Sequence, residues 1–408
     1  MKCYIFLTFD LSWVGGGQCY VASKAKYLEQ TGWDVFVFAP RNKMGKHNCP
    51  IDYLNKYTNY SMFELSYPPH LLPDLMVASV INRMRNFIGE IKDSNEILIE
   101  SHNDITALWG ELLAKKLNAR HFFWTANEKY RLPNQYYKEK IDLFIYKLER
   151  REIFGSHNTV NRLLEGYRTI SEAEFEKVQI DEDPVQDVDN PKVNDLLQLD
   201  WNIGYIGRSN KPYMSNIIRD IGLFCSRHKE KKIQFVVVGE VGLHLNEINI
   251  IKDQNNNLTV TELGNLHPLP RMLFKKLDIV IAGSGSARCS VYEKALTILA
   301  DPETGLSNGL LGYDTIDSVY KGENGCIYSF NDVLERALVK EAYLNMENRF
   351  PPKKGVAECT AQNFRLIENA EPTKAYFDEK EICRGRKNYK VALGIFIKRC
   401  LNRLYYNS

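Results

Sequence analysis

The sequence predicts a protein of two α/β domains, each a doubly wound parallel sheet with helices on both faces. Two observations support this prediction. Short apolar runs rich in β-branched residues alternate with segments of helical period, and the alternation restarts in the second half. An acidic stretch with prolines separates the halves, and 408 residues suffice for two cores of about 200 residues each. We therefore expect one domain over 1–185, a second over 186–375 and a basic tail over 376–408.

The first half opens with a βαβ unit. Lys2–Phe9 is typical of a buried strand, Gly15 to Gly17 make a turn into a helix, and Asp34–Ala39 forms the next strand. The glycines lack the full GxGxxG spacing and no acidic residue closes the second strand, so the dinucleotide fingerprint is incomplete. Either the glycines only shape a tight turn, or the amides of Gly16 and Gly17 contact a sugar or its phosphate. We favour the second interpretation.

The alternation of strands and helices continues up to the acidic stretch. Strands are predicted at Glu96–Glu100 and His121–Trp124. His102 follows the first of these strands, at the edge where doubly wound sheets bind their ligands. A histidine there can act as a base or hold a sugar hydroxyl, but it can equally cap a helix or lie on the surface. His102 is therefore a candidate catalytic residue.

The second half repeats the pattern, with strands predicted at Gly204–Ile206, Gln234–Val238 and Leu258–Leu263. The turn after the first of them carries Arg208 and Lys211. Their charges can neutralise a diphosphate and stabilise it as the leaving group of a reaction. Both residues are therefore candidates for catalysis and for binding a donor substrate that carries the diphosphate. Taken alone, both would be ordinary surface cations.

A turn of small residues joins another predicted strand, Asp278–Ala282, to a helix that is expected to run to Leu299. Backbone amides and the helix dipole make the start of such a helix suitable for a phosphate or diphosphate, although the same pattern occurs in any βα unit. Glu293 is expected about one turn into the helix, where its carboxylate can accept hydrogen bonds from ribose hydroxyls. The candidate donor-binding residues of the turn are Ser284, Gly285 and Ser286.

Composition narrows the functional class. A formal charge of +2 predicts no general affinity for nucleic acid, so any basic surface must be local. Nine cysteines without a CxxC pair are typical of a reducing compartment, and the apolar N-terminal run is too short for a typical signal sequence. The sequence has no run of about 18 apolar residues, so no membrane span is predicted. We expect a cytoplasmic protein.

Two acidic triplets, Asp181–Asp183 and Asp187–Asp189, lie in the stretch between the halves. Paired carboxylates can hold a divalent ion on a nucleotide, but only from a formed pocket. In a linker they are better interpreted as a solvated charge run, so we predict neither a metal nor another cofactor.

The tail is basic and amphipathic. Seven basic residues and no acidic residue follow Glu381, and apolar residues lie between them. Such a segment can lie on an anionic membrane surface, or it can pack on the body of the protein with its basic face in water. The sequence leaves both alternatives open.

Together these features resemble the GT-B glycosyltransferases, and family 4 in particular. The resemblance covers most of the chain in order, from the glycine turn after the first strand through His102 and Gly207-Arg208 to the segment from Gly264 to Leu299. It implies two Rossmann-like domains that face each other across a cleft. It also implies transfer of a sugar from a nucleotide diphosphate, without a metal and with retained anomeric configuration.

Carried over by position, the resemblance assigns Arg208 and Lys211 to the diphosphate and Glu293 to the ribose, with the glycine turn on the donor side. The family has two glutamates eight positions apart, and Gly285 stands at the earlier position here. The earlier carboxylate usually contacts the donor sugar. Its absence leaves the donor sugar, and activity itself, in question.

The leading hypothesis is a glycosyltransferase that transfers a sugar from a nucleotide-diphosphate donor to a cell-surface polysaccharide or glycolipid. Its expected partners are the donor, a saccharide or lipid-linked saccharide acceptor, and an anionic membrane surface reached through the tail. The missing glutamate favours an alternative, a non-catalytic partner of the same fold that binds and stabilises an active glycosyltransferase.

Overall fold

The structure is a computed structural model, and it describes residues 2–41, 49–89, 96–125, 140–155, 157–171, 184–316 and 325–406. The chain forms two compact units. The first comprises Met1–Asp181 together with Lys354–Ser408, and the second comprises Glu182–Lys353. The predicted triplet at 181–183 lies outside the described residues.

The described part of the first unit holds a five-stranded sheet in the order β2-β1-β3-β4-β5, and its strands run parallel. The chain passes from β1 to β2 on one side and to β3 on the other, so strand order reverses between β1 and β3. The strands are β1 (Lys2–Leu7), β2 (Trp33–Phe38), β3 (Glu96–Ser101), β4 (Arg120–Thr125) and β5 (Ile153–Gly155). The helices are α1 (Gly16–Gln30), α2 (Asp74–Ile88), α3 (Asp104–Leu117), α4 (Ile141–Glu149) and α5 (His157–Leu163), with 3₁₀ turns at Asp52–Tyr60, Phe63–Ser66 and Pro69–Leu71.

Strand β1 shows why this sheet is buried on both faces. Ile5 and Leu7 belong to the apolar cluster on one face of the sheet, whereas Tyr4 and Phe6 belong to the cluster on the other. Successive side chains of a strand point to opposite faces, so a continuous apolar run fills two cores at once.

The described part of the second unit holds a six-stranded sheet in the order β13-β12-β11-β7-β8-β9, with β13 antiparallel at one edge. Strand order reverses between β7 and β11. The strands are β6 (Val185–Gln186), which pairs with β10 (Leu269–Pro270), and β7 (Trp201–Ile206), β8 (Ile233–Val238), β9 (Leu258–Gly264), β11 (Ile279–Ala282), β12 (Thr297–Ala300) and β13 (Ser307–Leu310). The helices are α6 (Pro191–Asn194), α7 (Met214–Arg227), α8 (Leu245–Gln254), α9 (Arg271–Lys276), α10 (Ser284–Tyr292) and α11 (Phe330–Leu334), with short turns at Gly242–His244, Glu335–Val339 and Ala342–Asn345.

One predicted helix is shorter than expected. The helix after the Gly/Ser turn ends at Tyr292 rather than continuing to Leu299. Lys294 adopts a left-handed φ of 64°, and the amide of Ala295 bonds back to the carbonyl of Ser290, which together terminate the helix. The prediction was wrong because the apolar residues beyond this stop also fit a buried strand, and they form β12.

The end of the chain returns to the first unit. It forms α12 (Val356–Asn369), α13 (Glu379–Cys383) and α14 (Tyr389–Tyr406). Leu366 of α12 packs in one apolar cluster of that unit, and Ile382 and Ile395 pack in the other. Residues 354–375, expected in the second domain, therefore group with the first unit, because contacts between distant segments decide this placement. No helix among the described residues is long and apolar enough to cross a membrane.

Two isoleucines of α14 offer a matched test of this packing. Ile395 is 1% exposed within the core and Ile397 is 48% exposed. We expect Ile395→Ala to lower the free energy of unfolding of the first unit by about 2–5 kcal/mol, because it removes buried methyl groups and leaves a cavity. Ile397→Ala should cost less than about 1 kcal/mol. Urea titrations of both variants measure the difference, and equal effects would contradict the packing of α14.

Candidate functional site

In the second unit, the reversal of strand order brings two turns side by side. Open parallel sheets bind ligands outside the carboxyl ends of their strands at such a reversal. One turn, 207–213, follows β7, and the other, 283–286, follows the neighbouring strand β11. The structure thus places five of the predicted site residues on these two turns: Arg208, Lys211, Ser284, Gly285 and Ser286.

Side chains from the second unit contact the backbone of the turn after β7, and this turn carries two cationic residues. The buried Tyr205 hydroxyl donates to the carbonyl of Arg208 at 2.9 Å, and His244 Nε2 lies 2.9 Å from the carbonyl of Ser209. Arg208 is exposed and Lys211 is half-buried. A braced backbone that carries two cationic side chains suits a charged ligand, because the turn itself need not reorganise on binding.

Glycine is required where the turns after β7 and β8 meet. Gly239 has a left-handed φ of 129°, and a Cβ there would lie 2.0 Å from the carbonyl oxygen of Gly207. Any side chain would therefore push the two turns apart. The glycines after these strands, which the sequence offers only as turn residues, set how closely the turns approach each other.

The turn after β11 leads directly into α10. Gly283 precedes the helix in an extended conformation, and Ser284 adopts a left-handed φ of 54°. Among the described residues, no side chain caps the start of this helix. The first-turn amides, with the helix dipole behind them, therefore form an environment that favours an anion.

Glu293 does not lie where the sequence predicts it. It follows the last residue of α10, about 13 Å along the helix axis from Ser284 at 1.5 Å per residue. Its carboxylate accepts a hydrogen bond from Arg271 Nε at 2.7 Å, and Arg271 Nη1 also contacts Asp187 at 2.5 Å. The carboxylate of Glu293 is thus engaged by an arginine, and a role in ribose binding would require Arg271 to release it.

The described part of the acidic stretch, from residue 184 onward, shows no metal-binding arrangement. Asp187 pairs with Arg271, and Asp189 accepts a hydrogen bond from Asn194 Nδ2 at 2.6 Å. In the part of the chain that the structure describes, no three His, Cys, Asp or Glu residues converge to hold a metal ion.

In the first unit, the corresponding reversal between β1 and β3 is filled by side chains. His102 is fully buried, with Nδ1 2.8 Å from Thr8 Oγ1 and Nε2 2.7 Å from Glu100 Oε1. The ring of Phe9 stacks on the imidazole, with 5.8 Å between ring centroids. His102 therefore offers neither ring nitrogen to a ligand in this structure, which corrects its predicted role as a catalytic residue.

Two glycines of the turn before α1 have a packing role. A Cβ on Gly17 would lie 2.5 Å from the ring of Phe9, and one on Gly15 would lie 2.5 Å from the ring of Trp13. Gly16 is exposed at the start of α1. The structure thus supports the tight-turn interpretation for Gly17, and contact between Gly16 and a donor stays a prediction.

Sequence reasoning missed a buried charge network around Glu100. Its carboxylate accepts hydrogen bonds from His102, from Lys24 Nζ at 2.6 Å, from the Tyr20 hydroxyl at 2.8 Å and from the Tyr4 hydroxyl. Burial alone would raise the pKa of Glu100, but the ammonium of Lys24 and the bond from His102 outweigh it and hold that pKa well below its usual range. The glutamate is therefore ionised and fully partnered.

A second buried network was also missed. Glu111 lies 2.6 Å from Lys147 Nζ and 2.8 Å from His121 Nδ1, and Lys147 also contacts Glu152 at 2.8 Å. Burial alone would raise the pKa of Glu111, but Lys147 and His121 lower it to about 2. Burial also lowers the pKa of His121. The available signal was the presence of Glu100 and His121 within otherwise apolar strands, where a charge must find partners.

Comparisons with known proteins identify the fold. No protein-family model matches the sequence, and no curated protein matches it significantly. Among solved structures, it is similar to a glycosyltransferase from Rickettsia africae (TM-score 0.55, 16% identity, 96% of this chain and 98% of that one). It is also similar to HepE from Anabaena in complex with UDP-glucose (TM-score 0.57, 10% identity, 90% and 99%) and to UDP-GlcNAc 2-epimerase from Neisseria meningitidis bound to UDP-GlcNAc (TM-score 0.50, 14% identity, 90% and 100%).

These similarities and the two parallel sheets confirm the predicted fold class, a GT-B arrangement of two Rossmann-like units. Membership of family 4 stays a prediction.

The Glu111 network predicts a pH-dependent stability of the first unit. The folded-state pKa of about 2 lies below the ordinary value of 4.5, so this contribution is complete above pH 4.5 and is lost as the pH falls toward 2. Its size is about 3 kcal/mol, and the lowered pKa of His121 adds to the loss. Urea midpoints measured against pH should fall less steeply for Glu111→Gln than for the wild type. Glu379→Gln, at an exposed ion pair, should leave the slope unchanged, and a parallel profile for Glu111→Gln would contradict the assignment.

Removing the support under the Arg208 turn should loosen it. Tyr205→Phe deletes the hydroxyl that donates to the Arg208 carbonyl, which should cost about 1 kcal/mol of unfolding free energy and speed amide exchange in 207–213. Hydrogen exchange followed by mass spectrometry resolves this segment. Tyr343→Phe, a half-buried tyrosine of the same unit, is the matched control, and equal exchange of 207–213 in both variants would refute the bracing role.

Proposed function

We propose that this protein is a glycosyltransferase that binds a nucleoside diphosphate sugar at the carboxyl ends of β7 and β11. The observation that carries the proposal is the meeting of two unlike turns at the strand reversal of the second unit. One turn supplies the cations of Arg208 and Lys211, and the other supplies helix amides beginning at Ser284. A diphosphate needs both kinds of donor, and this is the edge of the sheet where such folds bind ligands.

The chemistry follows from the charge of the leaving group. Transfer breaks the bond between the anomeric carbon and a diphosphate oxygen, and it forms a bond from that carbon to an acceptor hydroxyl oxygen. Negative charge develops on the departing diphosphate oxygen, which takes up the proton that the acceptor hydroxyl loses. Arg208, Lys211 and the amides at the start of α10 stabilise that charge, so the proposed mechanism uses neither a metal nor a protein nucleophile. We further propose that the anomeric configuration is retained, as the resemblance to family 4 implies.

The acceptor is proposed to be a saccharide or a lipid-linked saccharide of a cell-surface polysaccharide or glycolipid, used in the cytoplasm. His102 has no part in this chemistry, because Thr8 and Glu100 engage its ring nitrogens. Gly16 keeps its proposed contact on the donor side. Two neighbours in the fold comparison were crystallised with UDP-glucose and UDP-GlcNAc, which supports a nucleotide sugar as the ligand class.

A second candidate is a non-catalytic partner that stabilises an active glycosyltransferase. Two observations favour it: Gly285 stands where the resemblance expects the first glutamate, and Arg271 holds the carboxylate of Glu293. Such a protein would keep the fold without turning over a donor.

Arg208→Ala tests the leading proposal. Loss of one preorganised cation should reduce sugar transfer by about 10²-fold or more, and it should also weaken binding of the free nucleoside diphosphate. The control is Arg227→Ala, which removes an exposed arginine at the C-terminal end of α7, away from the 207–213 turn that precedes this helix. It should leave both transfer and nucleotide binding unchanged. The measurements are turnover of a panel of nucleotide sugars with product identification, and calorimetry with UDP, GDP and ADP.

The outcomes separate the candidates. Near wild-type turnover in Arg208→Ala would contradict the proposed site. A wild-type protein that binds none of the three nucleotides would favour the partner role. Conversion of the nucleotide sugar to its 2-epimer without transfer would instead place the chain with the epimerases of the same fold.

A further inference from the structure

Helix α14 exposes an apolar stripe. Five large side chains along its outward face are each 36–71% exposed, and they recur at the spacing of one helix face. Large apolar side chains gathered on a single face of a soluble protein commonly mark a binding surface. We name these residues the outward stripe: Tyr389, Leu393, Phe396, Ile397 and Leu401.

Two basic residues of the same helix face inward. Arg399 forms an ion pair with the buried Glu64, and Lys398 Nζ lies 5.9 Å from the ring centroid of Phe63. One alternative from the sequence was a helix packed on the body of the protein with its basic face in water. The structure shows α14 packed on the body, but with Arg399 and Lys398 toward the protein and apolar side chains toward solvent. Exposing these apolar side chains to water is unfavourable, and hydration alone would favour basic residues on the outer face. Other interactions of α14 must therefore offset the free energy of exposing the stripe.

Contacts with the first unit fix this orientation. Glu64 also accepts a hydrogen bond from Arg83 of α2 at 2.8 Å, so one buried carboxylate holds two helices. At the start of α14, the amide of Asn388 donates to the carbonyl of Leu71 at 2.8 Å. Ile395 anchors the middle of the helix in the core. The outward stripe is therefore presented by a helix that is packed on the first unit.

The charges beside the stripe are positive. Lys390 is exposed on the same face of α14, and Arg386 is exposed in the preceding turn. Arg384, also in that turn, is exposed beside Glu381, which is the last acidic residue of the sequence. The exposed carboxylates nearby, Glu381 and Asp74, are paired with Arg384 and Lys387. A surface that pairs large apolar side chains with the cations of Lys390 and Arg386 complements a bilayer whose headgroups are anionic.

We propose that the outward stripe of α14 docks the protein on the surface of an anionic lipid bilayer, with the helix axis in the membrane plane. The apolar side chains enter the boundary between headgroups and acyl chains, and Lys390 and Arg386 contact lipid phosphates. The proposal rests on α14 alone and holds whether or not the second unit binds a nucleotide sugar. A second copy of this chain is a less suitable occupant, because two such faces would bring like charges together.

Vesicle flotation of the full-length protein tests the docking. Wild type should bind vesicles of equal phosphatidylcholine and phosphatidylglycerol and should bind phosphatidylcholine alone at least about tenfold more weakly. The double variant Leu393→Ser/Phe396→Ser should lose at least about tenfold in binding to the anionic vesicles. The matched control is Ile250→Ser/Leu344→Ser, which changes two side chains of similar exposure in the second unit and should bind as wild type.

A second measurement reports insertion directly. With Trp at the exposed position 396 (Phe396→Trp), brominated lipid should quench additional fluorescence, whereas Ile250→Trp should show no extra quenching. The proposal is overturned if wild type does not bind the anionic vesicles, or if the double variant binds them as well as wild type does. It is also overturned if sedimentation without lipid shows a dimer that Leu393→Ser/Phe396→Ser dissociates, because the stripe is then an interface between copies.

Discussion

The reversal of strand order within a parallel sheet is the constraint on which this structure depends. Where neighbouring strands send their connections to opposite faces, the carboxyl ends of those strands are left with a crevice that something must fill. Each unit has one such reversal, and the two are filled differently. In the first unit His102, Thr8 and Phe9 occupy it, and in the second the turns at Arg208 and Ser284 border it with glycines, cations and amides. This contrast supports the proposed ligand site in the second unit.

The first unit uses its buried charges for specificity of packing. Glu100 receives four donors from two elements, β1 and α1, and from the segment after β3, and Glu111 joins α3 to β4 and α4 through His121 and Lys147. A buried ion pair contributes little net stability compared with a well-packed apolar pair, whereas removing one partner is strongly destabilising. These networks therefore penalise any arrangement that separates the partners, and they fix how the helices sit on the sheet.

A buried charge also fixes the orientation of helix α14. The buried carboxylate of Glu64 draws Arg399 and Arg83 inward, and this ion pairing decides which face of α14 meets the protein. The apolar residues of the outward stripe then lie on the opposite, exposed face, while Ile395 stays in the core. Electrostatic pairing inside the first unit thus leaves an apolar surface on the outer face of α14.

The sequence by itself determined the local structure. The period of apolar residues identified most strands from Lys2 to Ala282, although not the short strands β5, β6 and β10, and the glycine turns marked the carboxyl ends at which we propose a ligand site. Hydrophobic period and turn chemistry are properties of neighbouring residues, so they can be read without the fold. The tertiary structure decided what depends on distant partners. It placed His102 in a network with Thr8 and paired Glu293 with Arg271. It also ended α10 before β12 and grouped residues 354–408 with the first unit. Finally, it directed Arg399 of α14 toward the protein and the outward stripe toward the surface. Each of these outcomes rests on a contact between segments that folding brings together, and no local pattern specifies which partner a buried charge or a helix face will find.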